Sequence, residues 1–117
     1  MTDSISYDSR RASPRVACRW RVRCVTEQKK VFETKVINIS LGGLLVITPV
    51  SFAKGDRLYL EVHGFSQGQS HIVKVVGETV YFSIATNNQA QLGLQYVSDL
   101  SLADHKFIQQ YVKLVLG

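Results

Sequence analysis

In Arg19-Trp20-Arg21-Val22-Arg23-Cys24-Val25-Thr26 the first six residues alternate charged and apolar side chains. A period of two is the mark of a half-buried strand, so Trp20, Val22 and Cys24 face a core and Arg21 and Arg23 face water. The same signature recurs outward from this stretch. Glu27 to Lys30 is a polar turn, and Val31 to Ile37 reads as a second strand antiparallel to the first. Leu44 to Thr48 is a short apolar strand ended by Pro49, and Arg57 to Val62 alternates again. His63 to Ser70, rich in Gly and Gln, reads as a loop. Ile72 to Ile84 is a long strand in which Gly77 predicts a bulge or bend. Asn87-Asn88 signals a turn, and Gln91 to Val97 is the last strand.

The period then changes. Ser101 with Asp104 three residues later has the form of a helix N-terminus. Leu102, Ile108, Tyr111, Val112 and Val115 follow at near-helical spacing, predicting a helix over 101–115 with that stripe on the core. Six or seven short strands and one terminal helix point to a mainly β fold, a small antiparallel β-barrel capped by a C-terminal α-helix. The chain of 117 residues has the size of one domain. We divide it into a flexible tail over 1–9 and a domain over 10–117, with an Arg-rich segment at 10–15 and the barrel at 19–97.

The net charge of +5 has one local origin. Six of the seven arginines, Arg10, Arg11, Arg15, Arg19, Arg21 and Arg23, fall in a window without acids. Setting them aside leaves 8 basic residues against 9 acidic ones. An arginine cluster on an otherwise balanced chain predicts an anionic partner, and the guanidinium fork suits phosphate or a guanine edge.

Other chemistries find little support. Cys18 and Cys24 sit on one strand, roughly 20 Å apart at ~3.3 Å per residue, beyond disulfide reach. Neither they nor His63, His71 and His105 have metal-ligand spacing, so no metal or cofactor is expected. There is no G-x-S-x-G, Walker A or H-E-x-x-H motif and no paired carboxylates, so the chain is not read as an enzyme. No apolar run is long enough to cross a bilayer, and the N-terminus lacks a secretory core, so membrane insertion is not expected and a cytoplasmic location is.

Two motifs remain: Arg11-x-x-x-Arg15, preceded by Arg10, and Asn38-x-Ser40-x-x-Gly43, where a strand breaks. Their order and spacing resemble the PilZ domain family, bacterial receptors for cyclic di-GMP. Leu92-Gly93-Leu94-Gln95-Tyr96 resembles that family's late strand. The resemblance runs from residue 10 to about 115. It implies a six-stranded antiparallel barrel, usually with a C-terminal helix.

The resemblance also implies roles. Arg11 and Arg15 would clamp phosphate and guanine, and Arg10 would add a contact. Asn38 would face a guanine edge; the family often has Asp there, and the amide lacks its charge. Ser40 would give its hydroxyl to phosphate or to the loop backbone. Gly43, helped by Gly42, would supply a conformation or a close approach that a Cβ forbids. Output would pass to an unidentified protein partner. The bland alternatives are a turn shaped by Asn38 and Ser40 and a solvated strand face for Arg19, Arg21 and Arg23. Trp20, Tyr81 and Phe82 are read as packing residues, with Tyr81 or Phe82 a possible guanine platform. One rival function is a PilZ-like adaptor that binds no nucleotide. Another is a small barrel binding RNA or single-stranded DNA, which the absence of a basic-aromatic stripe disfavours.

Overall fold

The computed structural model describes residues 13–84 and 89–117. Arg10, Arg11, the tail over 1–9 and the Asn87-Asn88 turn lie outside the described residues. Seven strands form one antiparallel sheet: β1 (Val16–Ala17), β2 (Arg21–Thr26), β3 (Val31–Ile39), β4 (Gly43–Thr48), β5 (Arg57–Ser66), β6 (Gln69–Ile84) and β7 (Ala90–Tyr96). Helix α1 (Leu102–Leu116) follows. The order β1-β3-β2-β5-β6-β7-β4, with β3 also paired to β4, closes six strands into a barrel. Closure leaves no free edge among those six strands. β1 is the extra strand, paired to the C-terminal end of β3 through Val16–Ile39 and Ala17–Asn38.

The opening alternation is realised as read. Trp20, Val22 and Cys24 are buried, whereas Arg19 and Arg21 are exposed and Arg23 half-exposed. They join Val36, Ile39, Leu44, Val46, Leu58, Leu60, Leu92 and Leu94 in one core. The chain from Val16 to Trp20 continues the same pattern beside β3. Cys18 N–H donates to the Ile37 carbonyl (3.1 Å), and Val36 N–H donates to the Trp20 carbonyl (2.8 Å).

Three local expectations change. Residues 63–70 are not a loop: β5 and β6 stay paired to Ser66–Gln69. Gln67 and Gly68 alone make the turn, both with positive φ (52° and 77°). That geometry matches the strand twist in a two-residue hairpin, so the polar composition belongs to an exposed ladder. The irregularity in β6 falls between Thr79 and Tyr81 rather than at Gly77. Gly77 instead permits close packing, because a Cβ there would meet Leu94 Cβ at 3.0 Å and Leu60 Cδ1 at 3.1 Å. Finally, only the middle of the helix stripe is buried. Ile108 and Val112 are inside, with Phe107 and Tyr111 against the core, while Leu102 (85% exposed) and Val115 (47%) are not. The helix is longer than the barrel surface it can cover, so its ends project.

α1 is pinned at both ends of its buried face. Ser101 Oγ accepts from the Asp104 N–H at 3.1 Å, satisfying a first-turn donor. Asp104 Oδ1 lies 2.7 Å from His71 Nε2, and the His71 ring stacks on Phe107 at 4.7 Å between centroids. Phe107 and Tyr111 pack on Trp20 at 5.5 and 4.5 Å. Trp20 Nε1 donates to the Phe65 carbonyl (3.0 Å), so its polar atom is satisfied and its ring serves packing.

Candidate functional site

Arg15 stands at the entry to β1, and Asn38 lies on β3 opposite Ala17. Arg15 Nη1 donates to Asn38 Oδ1 at 3.0 Å across 23 residues of sequence. One member of each motif is thereby brought into contact on the outside of the barrel. β3 makes this possible by an irregularity between Val36 and Asn38 in its pairing with β4. The extra residue, Ile37, lets Val36 and Ile39 both face the core while Asn38 stays partly exposed.

The rest of the second motif is the β3–β4 hairpin itself. Ser40 N–H donates to the Gly43 carbonyl at 2.9 Å. Ser40 is 2% exposed. Its hydroxyl accepts from Gly42 N–H (3.1 Å) and Gly43 N–H (3.3 Å), and donates to the Gly43 carbonyl (3.2 Å). Of the two expectations for Ser40, the loop backbone is the one realised here. Tyr96 Oη donates to the Ser40 carbonyl (3.1 Å), and Tyr96 N–H to the Gly42 carbonyl (3.1 Å), tying the hairpin to β7. A Cβ on Gly43 would collide with the Leu94 carbonyl oxygen, so this glycine serves a close approach of β4 to β7. The first motif's segment is anchored to the same turn, since Leu41 N–H donates to Ser13 Oγ at 3.2 Å. Tyr96 carried no signal beyond its place in the late strand, and Ser13 carried none.

The four arginines of the cluster among the described residues divide in space. Arg15 and Arg19 face outward on either side of Ala17, at the i and i+4 positions of an extended chain. Arg21 and Arg23 lie on β2, where Arg21 is register partner to Lys35 and His63. Arg21 Nη1 lies 4.0 Å from Glu33 Oε1, and Arg23 is register partner to both Glu33 and Glu61. Carboxylates on neighbouring strands therefore lie beside both residues. Tyr81 is 52% exposed, above the gap left by Gly93, in the row Asn38–Leu45–Gly93–Tyr81. Three strand spacings of ~4.8 Å put it roughly 14 Å from Asn38. Phe82 packs against the core.

The helix reaches this site. Tyr111 Oη donates to the Ala17 carbonyl at 2.8 Å, two residues past Arg15. Burial, with a smaller contribution from neighbouring Cys18, raises the Tyr111 pKa and keeps the donor protonated. Cys18 and Cys24 are free and buried, and burial pushes their thiols up to about 11 and about 12. Among the described residues, no His, Cys, Asp or Glu group could hold a metal ion, and no helix is long and apolar enough to cross a membrane.

No curated protein sequence matches the chain. Solved structures do. The Bacillus subtilis inhibitor of motility MotI/DgrA superposes with a TM-score of 0.79 at 20% identity, covering 90% of this chain and 50% of that one. The PilZ domain of YcgR from Escherichia coli with c-di-GMP gives 0.68 at 15% identity, covering 92% of each chain. The K. pneumonia MrkH–c-di-GMP complex gives 0.64 at 18% identity, covering 92% of this chain and 52% of that one. The chain thus spans about half the length of MotI and MrkH and nearly all of the isolated YcgR domain. The family model described as PilZ domain matches residues 9–114, and with the barrel and its outward Arg15–Asn38 pair in place, this chain belongs to the PilZ domain family.

Proposed function

We propose that this chain is a receptor for cyclic di-GMP, held through the R-x-x-x-R and N-x-S-x-x-G motifs, and that it signals through a protein partner. The observation that carries this reading is the Arg15–Asn38 hydrogen bond, which unites the two motifs on one exposed face. The bound cyclic di-GMP in the YcgR and MrkH structures of the same fold supports it.

The chemistry of each group fits. A guanine shows two acceptors on its Hoogsteen edge, matched by a guanidinium fork, and a phosphodiester takes the same fork bidentately. Arg15 is exposed and, among the described residues, uses one donor on Asn38, leaving the others for ligand. Asn38 offers one amide to a guanine edge. Arg11 and Arg10 add their charges from the segment just before Ser13. Ser40, Gly42 and Gly43 hold the hairpin that sets Asn38 in place. The protein binds and relays; it performs no chemical step on the dinucleotide. Binding draws the charges of the first motif onto the ligand, and the altered surface is what a partner reads.

Isothermal titration with cyclic di-GMP tests this directly. Arg15→Ala and Arg11→Ala should each weaken binding tenfold or more, since charged hydrogen bonds contribute about 1.5–3 kcal/mol. Absence of heat at high micromolar ligand from folded protein would leave an adaptor that binds no nucleotide.

A further inference from the structure

The outer wall formed by β2, β5 and β6 carries an apolar stripe that ligand binding at Arg15 and Asn38 leaves unused. Register aligns Val31, Val25, Tyr59 and Val76 in one row across β3, β2, β5 and β6. Val97 extends the row, since its N–H donates to the Val76 carbonyl at 2.9 Å. Val31, Tyr59 and Val97 are 51%, 42% and 39% exposed. In the middle of the row Val25, Leu58, Tyr59 and Val76 line a hollow of about 400 Å³. β5 stands three strands from β4 in either direction around the barrel, so the centre of the stripe faces away from β4.

Charged rows flank the stripe on both sides. One reads Glu33, Arg23, Glu61, Lys74 across the same four strands, with alternating signs. On the other side Lys29 and Glu27, in the β2–β3 turn, lead toward Arg57 on β5 and Glu78 on β6, alternating in the opposite sense. Lys29, Glu27 and Arg57 rim the hollow. Within the chain Lys74–Glu61 (3.8 Å) and Arg57–Glu78 (3.3 Å) already pair, at exposed positions where such pairs contribute little alone. Each row is balanced in charge, so the wall offers no net sign to a nucleic acid or an anionic membrane.

A row of four alternating signs is its own complement when reversed. A two-fold axis lying along the strands between β2 and β5 reverses each row against itself. Glu33 then meets the partner's Lys74, and Arg23 meets the partner's Glu61. Lys29 likewise meets the partner's Glu78, and Glu27 the partner's Arg57. The apolar row lands on itself and sets Tyr59 over the partner's Val25, at the hollow. An aromatic side chain seated in an apolar hollow within a polar rim is where interfaces concentrate their binding energy. We infer that this wall is a self-association surface joining two copies of the chain about that axis, with Tyr59 as the anchor. The patch spans roughly 14 Å across four strands and roughly 14 Å over three rows, at ~4.8 Å per strand and ~3.4 Å per residue. That extent is at the low end of interface sizes, so the dimer is weak and concentration-dependent.

Sedimentation velocity on the full chain tests this, at protein concentrations from about 10 µM to about 1 mM. Wild type should move from monomer toward dimer across that range. Arg23→Glu sets like charges against the partner's Glu61 at two symmetry-related places, and Tyr59→Ser removes the anchor. Each should weaken association roughly tenfold or more. The exchange Arg23→Glu/Glu61→Arg returns opposite signs across the axis and should restore association. Far-UV circular dichroism verifies the fold of each variant. In wild type, amide resonances of Val25, Tyr59 and Val76 should move with protein concentration, and that of Asn38 should not. A monomer throughout, wild-type association in Arg23→Glu or Tyr59→Ser, or a folded exchange variant that stays monomeric overturns the surface. Concentration-dependent shifts centred on Asn38 overturn it as well. The measurement contains no cyclic di-GMP, so its outcome is independent of the receptor reading.

Discussion

Gly43 sits where two strands approach until a side chain no longer fits. Its missing Cβ leaves room for the Leu94 carbonyl of β7, and Ser40 beside it spends its hydroxyl on the turn. The motif glycine and serine therefore act on the fold first and on any ligand through it. Gly43→Ala should destabilise the barrel by about 1–3 kcal/mol, the usual cost of overpacking. Denaturant unfolding should show a lower midpoint with an unchanged slope, and an unshifted midpoint would remove the steric role. Asn38 differs in kind. It is partly exposed, its amide oxygen already holds Arg15, and its placement needs the extra residue Ile37 in β3. The spacing of Asn38, Ser40 and Gly43 was legible in the chain. The irregularity at Ile37 was not, because it arises from the register between β3 and β4, which no single-strand pattern records.

Among the elements, β1 and α1 matter most to the site. β1 has two residues, yet it holds Arg15 against Asn38. The helix supports it through Tyr111 Oη on the Ala17 carbonyl, from a position 94 residues away in sequence. Tyr111→Phe keeps the ring on Trp20 and deletes only that bond. Global stability should fall by about 1 kcal/mol or less. The Cys18 amide, which anchors the same segment to Ile37, should exchange faster with solvent. Unchanged exchange at Cys18 would separate the helix from the arm. The helix itself was readable from its period and its Ser101 cap. Which of its apolar residues would be covered was not, because Leu102 and Val115 share the stripe but project beyond the barrel surface. The 63–70 segment misled for a related reason: polar residues on an exposed hairpin look like loop until their partners are known.

On the scale of the whole molecule, the closed barrel buries two free thiols. Burial pushes the folded Cys18 and Cys24 thiols up to about 11 and about 12, against 9.0 for an ordinary thiol. Between those values the unfolded chain has released its thiol protons and the folded chain has not. The unfolded state then binds fewer protons, so stability falls as pH rises from about 9 toward the folded pKa values, and it is intact below that window. Thermal melts of wild type and a Cys18→Ala/Cys24→Ala variant at pH 8 and pH 10 should show a larger alkaline drop for wild type. Equal drops would assign the alkaline loss to other groups.

Local period and motif spacing carried the strands, the terminal helix, the barrel class and the family resemblance in this protein. Each follows from side chains a few residues apart, where alternation alone decides which face is wet. Tertiary structure alone decided where the arginines stand: Arg15 on Asn38, Arg19 beside Lys35 at a hollow, Arg21 and Arg23 against Glu33 and Glu61. In sequence the six form one run of like charge. Closing the sheet fixes which strand lies beside Arg15, Arg19, Arg21 and Arg23, and an arginine's role is set by the charge and shape across the strand from it.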